Sequence, residues 1–299
     1  MRKKSFGTLA LALPAWGWLI VFFLMPVAVV FWYSFGYKPG LFGTHANDIL
    51  SFDRYLEVLT PTFFATFENT LWIAIMGTLL CFLIGAPLAY WMALKAPDHL
   101  KGVLLALVLV PFWANFLVRT IGWLIVLSPE GWLSQGLQSI GFAPLDILYT
   151  RPAVLLGVVY NYLPMMILPM FVAFDRVGID VREASKDLGA NSITTFFRVT
   201  MPIAFPGVIV GVALVYIPLM GDYVTAVVLG GTKGNMVGQM LASQFQSAQN
   251  WALGSAMAIM LIVMTIVSMA AIGFLMWLLY QPVKRAFDIQ LDAHVKEGA

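Results

Sequence analysis

Six long apolar stretches, separated by polar segments, restrict what this chain can fold into. They cover residues 9–33, 71–94, 103–127, 153–174, 206–229 and 252–279. Each has about the 20 residues or more that an α-helix needs to cross the hydrocarbon core of a bilayer. Hydrophobic residues make up 61% of the 299 positions and charged residues only 11%, whereas about a quarter of a soluble domain is charged. The sequence therefore predicts an all-α polytopic membrane protein with six transmembrane helices.

Lysine and arginine are distributed unevenly among the polar segments. Twelve fall in the segments predicted to be cytoplasmic and four in those predicted to be external. Because cytoplasmic loops of membrane proteins carry the excess of basic residues, both chain ends are predicted to be cytoplasmic. The predicted organisation is a cytoplasmic tail at 1–8, a transmembrane domain at 9–280 with a cytoplasmic loop at 175–205, and a second cytoplasmic tail at 281–299.

Cysteine and histidine residues are too few and too dispersed to suggest a metal or redox site. Cys81 is the single cysteine and lies inside an apolar stretch, so it is interpreted as a small apolar residue. His45, His99 and His294 fall in separate polar segments. No metal, no cofactor bound by this chain and no nucleic-acid partner are predicted, and membrane lipid is the expected surrounding.

The predicted cytoplasmic loop is the only long charged segment between two apolar stretches. Its pattern predicts a short helix over residues 181–188, with Asp180 as the N-cap and Gly189 in the left-handed conformation at the end. A second short helix over residues 192–200 is predicted to follow at an angle and to stop before Pro202. Taken alone, the loop is equally compatible with a solvated connection and with a docking surface for another protein.

The same loop resembles the EAA loop of permease subunits in bacterial ATP-binding-cassette (ABC) importers, whose pattern is E-A-A, three residues, G, nine residues and I-x-L-P. The matching positions are Glu183, Ala184, Ser185, Gly189, Val199, Met201 and Pro202. Ser185, Val199 and Met201 depart from the pattern but keep its small size or apolar character. The resemblance implies that the loop docks on a cytoplasmic ATPase. The residues implied in this coupling are Glu183, Ala184, Ser185, Asp187, Leu188, Gly189 and Pro202.

Further segments resemble the spermidine/putrescine type of these permeases. They comprise residues 109–113, 116–120, 160–164, 187–190, 221–224 and 229–231. The resemblance implies the type I ABC importer permease fold in a bacterial inner membrane. It implies as partners an ABC ATPase dimer that binds ATP and Mg, a second, homologous permease subunit and a periplasmic or extracellular solute-binding protein. The implied solute is a polyamine such as spermidine or putrescine, although related permeases carry opines, amino-acid derivatives or phosphonates.

Two ionisable residues, Arg119 and Asp222, lie deepest within the predicted spans. Ionisable groups are costly in lipid and usually functional, and a rise of about 1.5 Å per residue places the two at similar depth. Both are predicted to face the interior of the helix bundle, either paired with each other or unpaired. Pro218 and Gly221 predict a break in the helix beside Asp222, which membrane proteins tolerate where backbone lines a cavity or is buried in protein.

An unpaired Asp222 would be able to bind an ammonium group of a solute. Tyr223 would add a cation–π contact, assisted by Trp113, Tyr160 or Tyr162. The alternative is that these aromatic residues belong to the interfacial belt or only pack against neighbours. The candidate transport path comprises Asp222, Tyr223, Arg119, Trp113, Tyr160 and Tyr162.

The sequence lacks the phosphate-binding motif G-x-x-x-x-G-K-[ST] and the hydrolase motifs H-E-x-x-H and G-x-S-x-G. The chain is therefore predicted to be a transmembrane subunit and not an enzyme, with ATP hydrolysis supplied by its partner. An alternative is a secondary transporter or channel driven by an ion gradient. That class would be expected to show inverted repeats or a series of ionisable residues at the membrane midplane, and neither is visible. A structural or sensory membrane protein is disfavoured by the lack of an appended soluble domain.

Overall fold

The computed structural model describes residues 13–40, 42–231 and 234–297. Over these residues, six helices are long and apolar enough to cross a membrane, which confirms the predicted number of spans. In the same residues, β-structure is limited to one isolated antiparallel bridge between Tyr37 and Ala46. The protein is therefore all-α, as predicted. The predicted tail at 1–8 lies outside the described residues.

The helices are numbered in chain order, and short turns of other helical types accompany them. The α-helical elements are α1 (Leu13–Tyr33), α2 (Asp53–Val58), α3 (Pro61–Leu94), α4 (Asp98–Leu109), α5 (Phe116–Leu127), α6 (Trp132–Ser139), α7 (Arg151–Asp175), α8 (Ile179–Asp187), α9 (Ser192–Met220), α10 (Val237–Gln246) and α11 (Trp251–Glu297). A 3₁₀ turn, Val110–Trp113, joins α4 to α5. The π-helical turns are Ile20–Leu24 within α1, Phe196–Thr200 within α9 and Ala226–Gly230 after α9. Helix α11 extends the last span through most of the segment predicted as the C-terminal tail.

Contacts between residues divide the chain into two compact units. The smaller unit comprises the described residues up to Ala65 together with Met240–Met264. The larger unit comprises Thr66–Gln239 and the described residues from Thr265 onward. The larger unit contains every candidate site residue predicted from the sequence, and Cys81 is buried within it, as interpreted.

Aromatic and hydrogen-bonded contacts hold the polar segment of the smaller unit. Tyr33 stacks on His45, with 3.9 Å between the ring centroids, and the Ser34 and Tyr55 hydroxyls share a hydrogen bond of 2.6 Å. Tyr55 lies in the short helix α2. The polar segment after α1 is therefore held by specific contacts within the smaller unit.

The core of the larger unit is the close packing of α7 against α9. An added Cβ at Gly207 of α9 would lie 2.2 Å from the Cβ of Ala173 and 2.8 Å from the carbonyl oxygen of Pro169, both in α7. Small residues at such positions let the backbones of two membrane helices approach closely. Because the space is occupied partly by backbone, a side chain at position 207 would force the two helices apart.

Helix α3 begins at Pro61, so the predicted start of the second span at residue 71 is wrong as a helix boundary. The Thr60 hydroxyl accepts a hydrogen bond of 3.2 Å from the backbone N–H of Phe63 and caps the helix, with Pro61 in its first turn. The Thr70 hydroxyl donates to the carbonyl of Thr66 at 2.8 Å. The apolar stretch begins at residue 71, whereas the helix begins ten residues earlier, at Pro61, where Thr60 caps it.

The predicted third span over residues 103–127 is not one continuous helix. Pro111 has no backbone N–H to extend α4, and the chain passes through the 3₁₀ turn before α5 starts. The Asn115 side chain accepts a hydrogen bond of 2.8 Å from the backbone N–H of Leu117 and caps α5. The predicted third span therefore covers two helices and the turn between them, because Pro111 ends one helix and Asn115 begins the next.

Helix α9 corrects two further predictions. The second short helix does not stop before Pro202, and the fifth span does not begin at residue 206, because both form part of α9. The backbone N–H of Met201 donates to the carbonyl of Phe196 across the π-helical turn. Just before Pro202 the backbone hydrogen bonds therefore run from residue i to residue i−5 instead of i−4. This change accommodates Pro202, which lacks the N–H that an α-helix would need there.

Substitution of Gly207 by alanine should destabilise the larger unit. The added methyl group overpacks the contact between α7 and α9, a change that costs about 1–3 kcal/mol. The measurement is thermal unfolding of the purified protein in detergent. Gly122→Ala in α5 is the matched control, because a Cβ there would meet nothing within 4 Å. Equal melting temperatures for the two variants would contradict the close packing at position 207.

Candidate functional site

The loop between α7 and α9 is built around helix α8 and two left-handed glycines. Gly178 (φ 68°) is the N-cap of α8, so the prediction of Asp180 as N-cap is wrong. Asp180 lies instead in the first turn, where its negative charge suits the positive end of the helix dipole. Gly189 adopts the predicted left-handed conformation, with φ at 85°.

The end of α8 is a Schellman motif. The Gly189 N–H donates to the carbonyl of Lys186 at 2.8 Å, and the Ala190 N–H donates to the carbonyl of Ser185 at 3.1 Å. These two bonds satisfy carbonyl groups that the end of a helix leaves without partners. The motif turns the chain sharply, and only a residue that tolerates positive φ can occupy its centre.

The start of α9 is fixed against α8. The Asn191 side chain accepts a hydrogen bond of 2.7 Å from the backbone N–H of Thr194 and caps α9. The hydroxyls of Ser185 in α8 and Thr195 in α9 share a hydrogen bond of 3.2 Å. Residues 179–200 therefore form a bent pair of helices, termed the elbow below.

The elbow presents apolar side chains on its surface. Helix α8 contains no buried residue. Leu188 is 89% exposed and Ile193 is 70% exposed. The predicted coupling residues Glu183, Ala184, Asp187 and Gly189 are exposed with them, Ser185 is partly buried beneath, and Pro202 lies in α9 just beyond the elbow. The elbow therefore exposes both charged and apolar side chains.

An ion-pair cluster lies beside the entry to the elbow. The Lys101 ammonium of α4 lies 2.9 Å from a carboxylate oxygen of Asp175, the last residue of α7, and 2.9 Å from one of Asp98. The hydrogen bond to Asp175, and to a lesser extent the one to Asp98, raises the pKa of Lys101 above its usual value. These are exposed pairs, so they add little stability, but they join the first turn of α4 to the last residue of α7.

Helix α9 ends at Met220, and the chain is irregular at residues 221–223. The predicted break beside Asp222 is therefore confirmed. Asp222 is buried, with 6% of its surface exposed. Its carboxylate accepts two hydrogen bonds from Thr225, one from the backbone N–H at 3.0 Å and one from the hydroxyl at 2.6 Å. Asp222 thus caps the helical turn that follows the break.

Arg119 and Asp222 do not form an ion pair. No contact within 4.0 Å between them occurs among the ion pairs of the described residues. The Arg119 guanidinium lies over the rings of Phe112 and Phe116, at 5.1 and 5.6 Å from their centroids. The Tyr162 hydroxyl donates a long hydrogen bond of 3.4 Å to Asp222. The paired alternative is therefore wrong, because local capping by Thr225 occupies the carboxylate.

A polar layer between α5 and α7 was not predicted as a site. The Asn161 amide N–H donates to the Thr120 hydroxyl at 3.1 Å, and that hydroxyl donates to the carbonyl of Phe116 at 2.9 Å. Three side-chain atoms in this layer are buried without a hydrogen-bond partner: the amide oxygen Oδ1 of Asn161 and the Nε and Nη1 atoms of Arg119. The signal available in the sequence was the polar pair of Thr120 and Asn161 within apolar stretches.

The remaining predicted path residues are not gathered around Asp222. Trp113 is 85% exposed in the 3₁₀ turn. Tyr160 packs against Trp123, with 5.4 Å between the ring centroids, and Tyr223 is partly exposed at the break itself. Within the described residues, no group of three or more His, Cys, Asp or Glu side chains is placed to hold a metal ion. Of the predicted aromatic residues, only Tyr162 is hydrogen-bonded to Asp222.

Two interrupted spans pack against a common helix, α7, and such interruptions are typical of transport proteins. Residues 85–285 match the family of binding-protein-dependent transport system inner membrane components. The chain belongs to this family and is an inner-membrane component of such a system.

The most similar relatives and structures agree with this assignment. The chain is 39% identical over 249 residues to the spermidine/putrescine transport system permease protein PotB of Haemophilus influenzae, covering 83% of this chain and 86% of that protein. A chain of a bacterial ABC transporter involved in the import of the acidic polysaccharide alginate has a TM-score of 0.69 at 16% identity, with 90% of this chain and 94% of that chain covered. A chain of a bacterial alginate ABC transporter in complex with an alginate-pentasaccharide-bound periplasmic protein has a TM-score of 0.67 at 16% identity, with 88% and 91% covered. These two structures share the fold of this chain.

Asp222→Ala should lower the free energy of unfolding by about 1 kcal/mol, because it removes the helix cap. Asp222→Asn should cost less, because asparagine caps helices as well as aspartate does. Thermal unfolding of the two purified variants measures the difference. If both variants lost the same stability, the charge rather than the cap would be the stabilising feature.

Proposed function

We propose that the chain is a permease subunit of an ATP-driven importer that carries a polyamine, such as spermidine or putrescine, across the bacterial inner membrane. The observation that carries this proposal is that the chain is 39% identical, over most of both sequences, to a permease named for spermidine and putrescine transport. The buried carboxylate of Asp222 at a helix break supports a cationic solute, because a break of this kind is typical of solute sites in transport proteins.

The proposed partners are a dimer of ABC ATPases, a second permease subunit that is a different homologous chain, and a periplasmic or extracellular solute-binding protein. ATP and Mg are bound by the ATPases, since this sequence has no phosphate-binding loop. The exposed apolar residues of the elbow support its role as the ATPase docking surface. The excess of basic residues in alternate segments supports a cytoplasmic elbow and two cytoplasmic chain ends.

The proposed mechanism is alternating access driven by the elbow. Closure of the ATPases on nucleotide draws the elbow inward, and α9 moves with it because the π-helical turn leaves the helix unbroken at Pro202. Close packing at Gly207 passes the movement from α9 to α7. The break at residues 221–223 then changes its surroundings, and the solute site opens to the outside.

The proposed transport path passes Asp222. Its carboxylate attracts an ammonium group of the solute, and Tyr162 lies within hydrogen-bonding distance of the same oxygen. Tyr223, at the break, is placed to add a cation–π contact. Arg119 lies beside the path without an acidic partner among the described residues, and it opposes a second cation there. Trp113 and Tyr160 remain proposed path residues on their sequence pattern alone.

Asp222→Asn should raise the apparent KM for spermidine uptake by about tenfold, the loss expected for one charge-assisted hydrogen bond. The measurement is uptake of labelled spermidine by cells that produce the complete importer with the variant chain. Asp146→Asn is the control, because Asp146 is an exposed carboxylate between α6 and α7. Uptake by Asp222→Asn equal to that of the wild type would remove Asp222 from the path.

Gly189→Val should uncouple ATP hydrolysis from uptake. A β-branched residue at φ 85° costs about 1–2 kcal/mol, although no atom would block its Cβ, so the bend of the elbow changes. A tagged variant should still co-purify with the ATPases and hydrolyse ATP while uptake falls. Gly189→Asn, which tolerates the left-handed conformation, should retain uptake. Normal uptake by the valine variant would contradict the coupling role, and a wild-type chain that retained no ATPase would contradict the proposed function.

A further inference from the structure

Three aromatic rings from three different helices meet at the base of the elbow. Tyr90 of α3 packs edge-to-face against Phe174 of α7, with 5.7 Å between ring centroids and an interplanar angle of 88°. Tyr90 also packs edge-to-face against Phe196 of α9, at 5.3 Å and 83°. Edge-to-face pairs at these separations are attractive and depend on orientation. Tyr90 is the shared member of both pairs.

The two partners of Tyr90 lie at the two ends of the elbow. Phe174, with 1% of its surface exposed, precedes the last residue of α7, after which the chain enters the elbow. Phe196 follows Thr195, whose hydroxyl is bonded to Ser185 of α8. The hydrogen bond between Ser185 and Thr195, followed by the peptide bond to Phe196, therefore connects α8 directly to Phe196. Tyr90 contacts the chain where it enters the elbow and where it leaves.

The surroundings of Tyr90 leave few substitutes for these contacts. An apolar cavity of about 480 Å³ lies beside the ring. Its lining includes Phe82, Pro87, Tyr90, Phe174, Phe196 and Met201. Because one side of the ring faces this space rather than close-packed side chains, loss of the ring removes the contacts that join α3 to Phe174 and Phe196. Phe196 would keep its edge-to-face pair with Phe197, at 5.1 Å, but that pair lies within α9 and does not replace the contact with α3.

We propose that Tyr90 is a positioning residue that makes α3, α7 and α9 move together when the elbow is displaced. Without its ring, movement of the elbow bends the base of α9 and is not passed to α3. The inference rests on the proposed function, because it requires that the elbow receive movement from an ATPase. It adds a residue outside the coupling loop, on a different span, to the parts that convert ATP hydrolysis into transport.

Tyr90→Leu tests this role in the complete importer reconstituted in vesicles. Uptake should fall about fivefold or more, a coupling effect of ordinary size, while ATP hydrolysis stimulated by the binding protein stays within about twofold of the wild type. Tyr90→Phe, which keeps the ring, should restore the wild-type ratio of ATP hydrolysed to solute imported. Phe274→Leu is the matched control, because Phe274 pairs with Trp277 at 5.8 Å in α11 and is largely exposed.

Four outcomes decide the inference. Normal coupling in Tyr90→Leu overturns it, and so does an equal loss of coupling in Phe274→Leu, which would show a nonspecific effect of ring removal. If Tyr90→Leu does not assemble, Phe196→Leu decides, because it removes the ring pairs with Tyr90 and Phe197 and leaves the contact between Tyr90 and Phe174. Uncoupling confined to the Tyr90 and Phe196 leucine variants supports the inference. Failure of the proposed function would appear separately, as a wild-type complex without nucleotide-dependent uptake.

Discussion

A backbone group without a hydrogen-bond partner costs several kcal/mol in hydrocarbon, so irregular backbone survives there only where protein satisfies it. Both interruptions of the larger unit meet this constraint in the same way. Asn115 caps α5 and Asp222 caps the turn that contains Thr225, each through a side-chain oxygen that accepts a backbone N–H. Helix α7 packs against both capped segments. Both breaks are therefore capped and contact α7, although the turn Val110–Trp113 contains no buried residue and only the second break holds a buried carboxylate.

The capping role of Asp222 changes how its burial is interpreted. A buried carboxylate in a membrane protein points to function because lipid makes charge costly. Here the same carboxylate also accepts two hydrogen bonds from Thr225, which is sufficient reason for an oxygen acceptor at this position. A neutral asparagine would meet the same structural need. The structural role therefore explains the oxygen but not the charge, and the charge is what the proposed solute path requires.

The sequence predicted the parts of this protein that depend on bulk apolarity and on special backbone conformations. It identified six spans, the left-handed Gly189 and the break beside Asp222, because lipid, positive φ and proline each leave a local signal. It gave no break in the third span and began the fifth span at residue 206, because the cap formed by Asn115 and the π-helical turn in α9 depend on hydrogen bonds that residue type alone does not specify. The contacts of Tyr90 with Phe174 and Phe196 depend on which helices meet, and no local pattern encodes that.

Helix α9 connects the elbow to the break as one continuous helix, with Pro206 and Pro218 inside it. It spans 29 residues, which corresponds to about 44 Å at a rise of about 1.5 Å per residue. An isolated helix of this length bends easily, but α9 is packed against α7 at Gly207 and held at its base by the ring of Tyr90. A movement at the elbow therefore reaches residues 221–223 as a displacement of the whole helix rather than as a bend lost along it. One continuous helix, α9, thus links the elbow to the segment that holds the Asp222 carboxylate. The proposed transport cycle requires such a link.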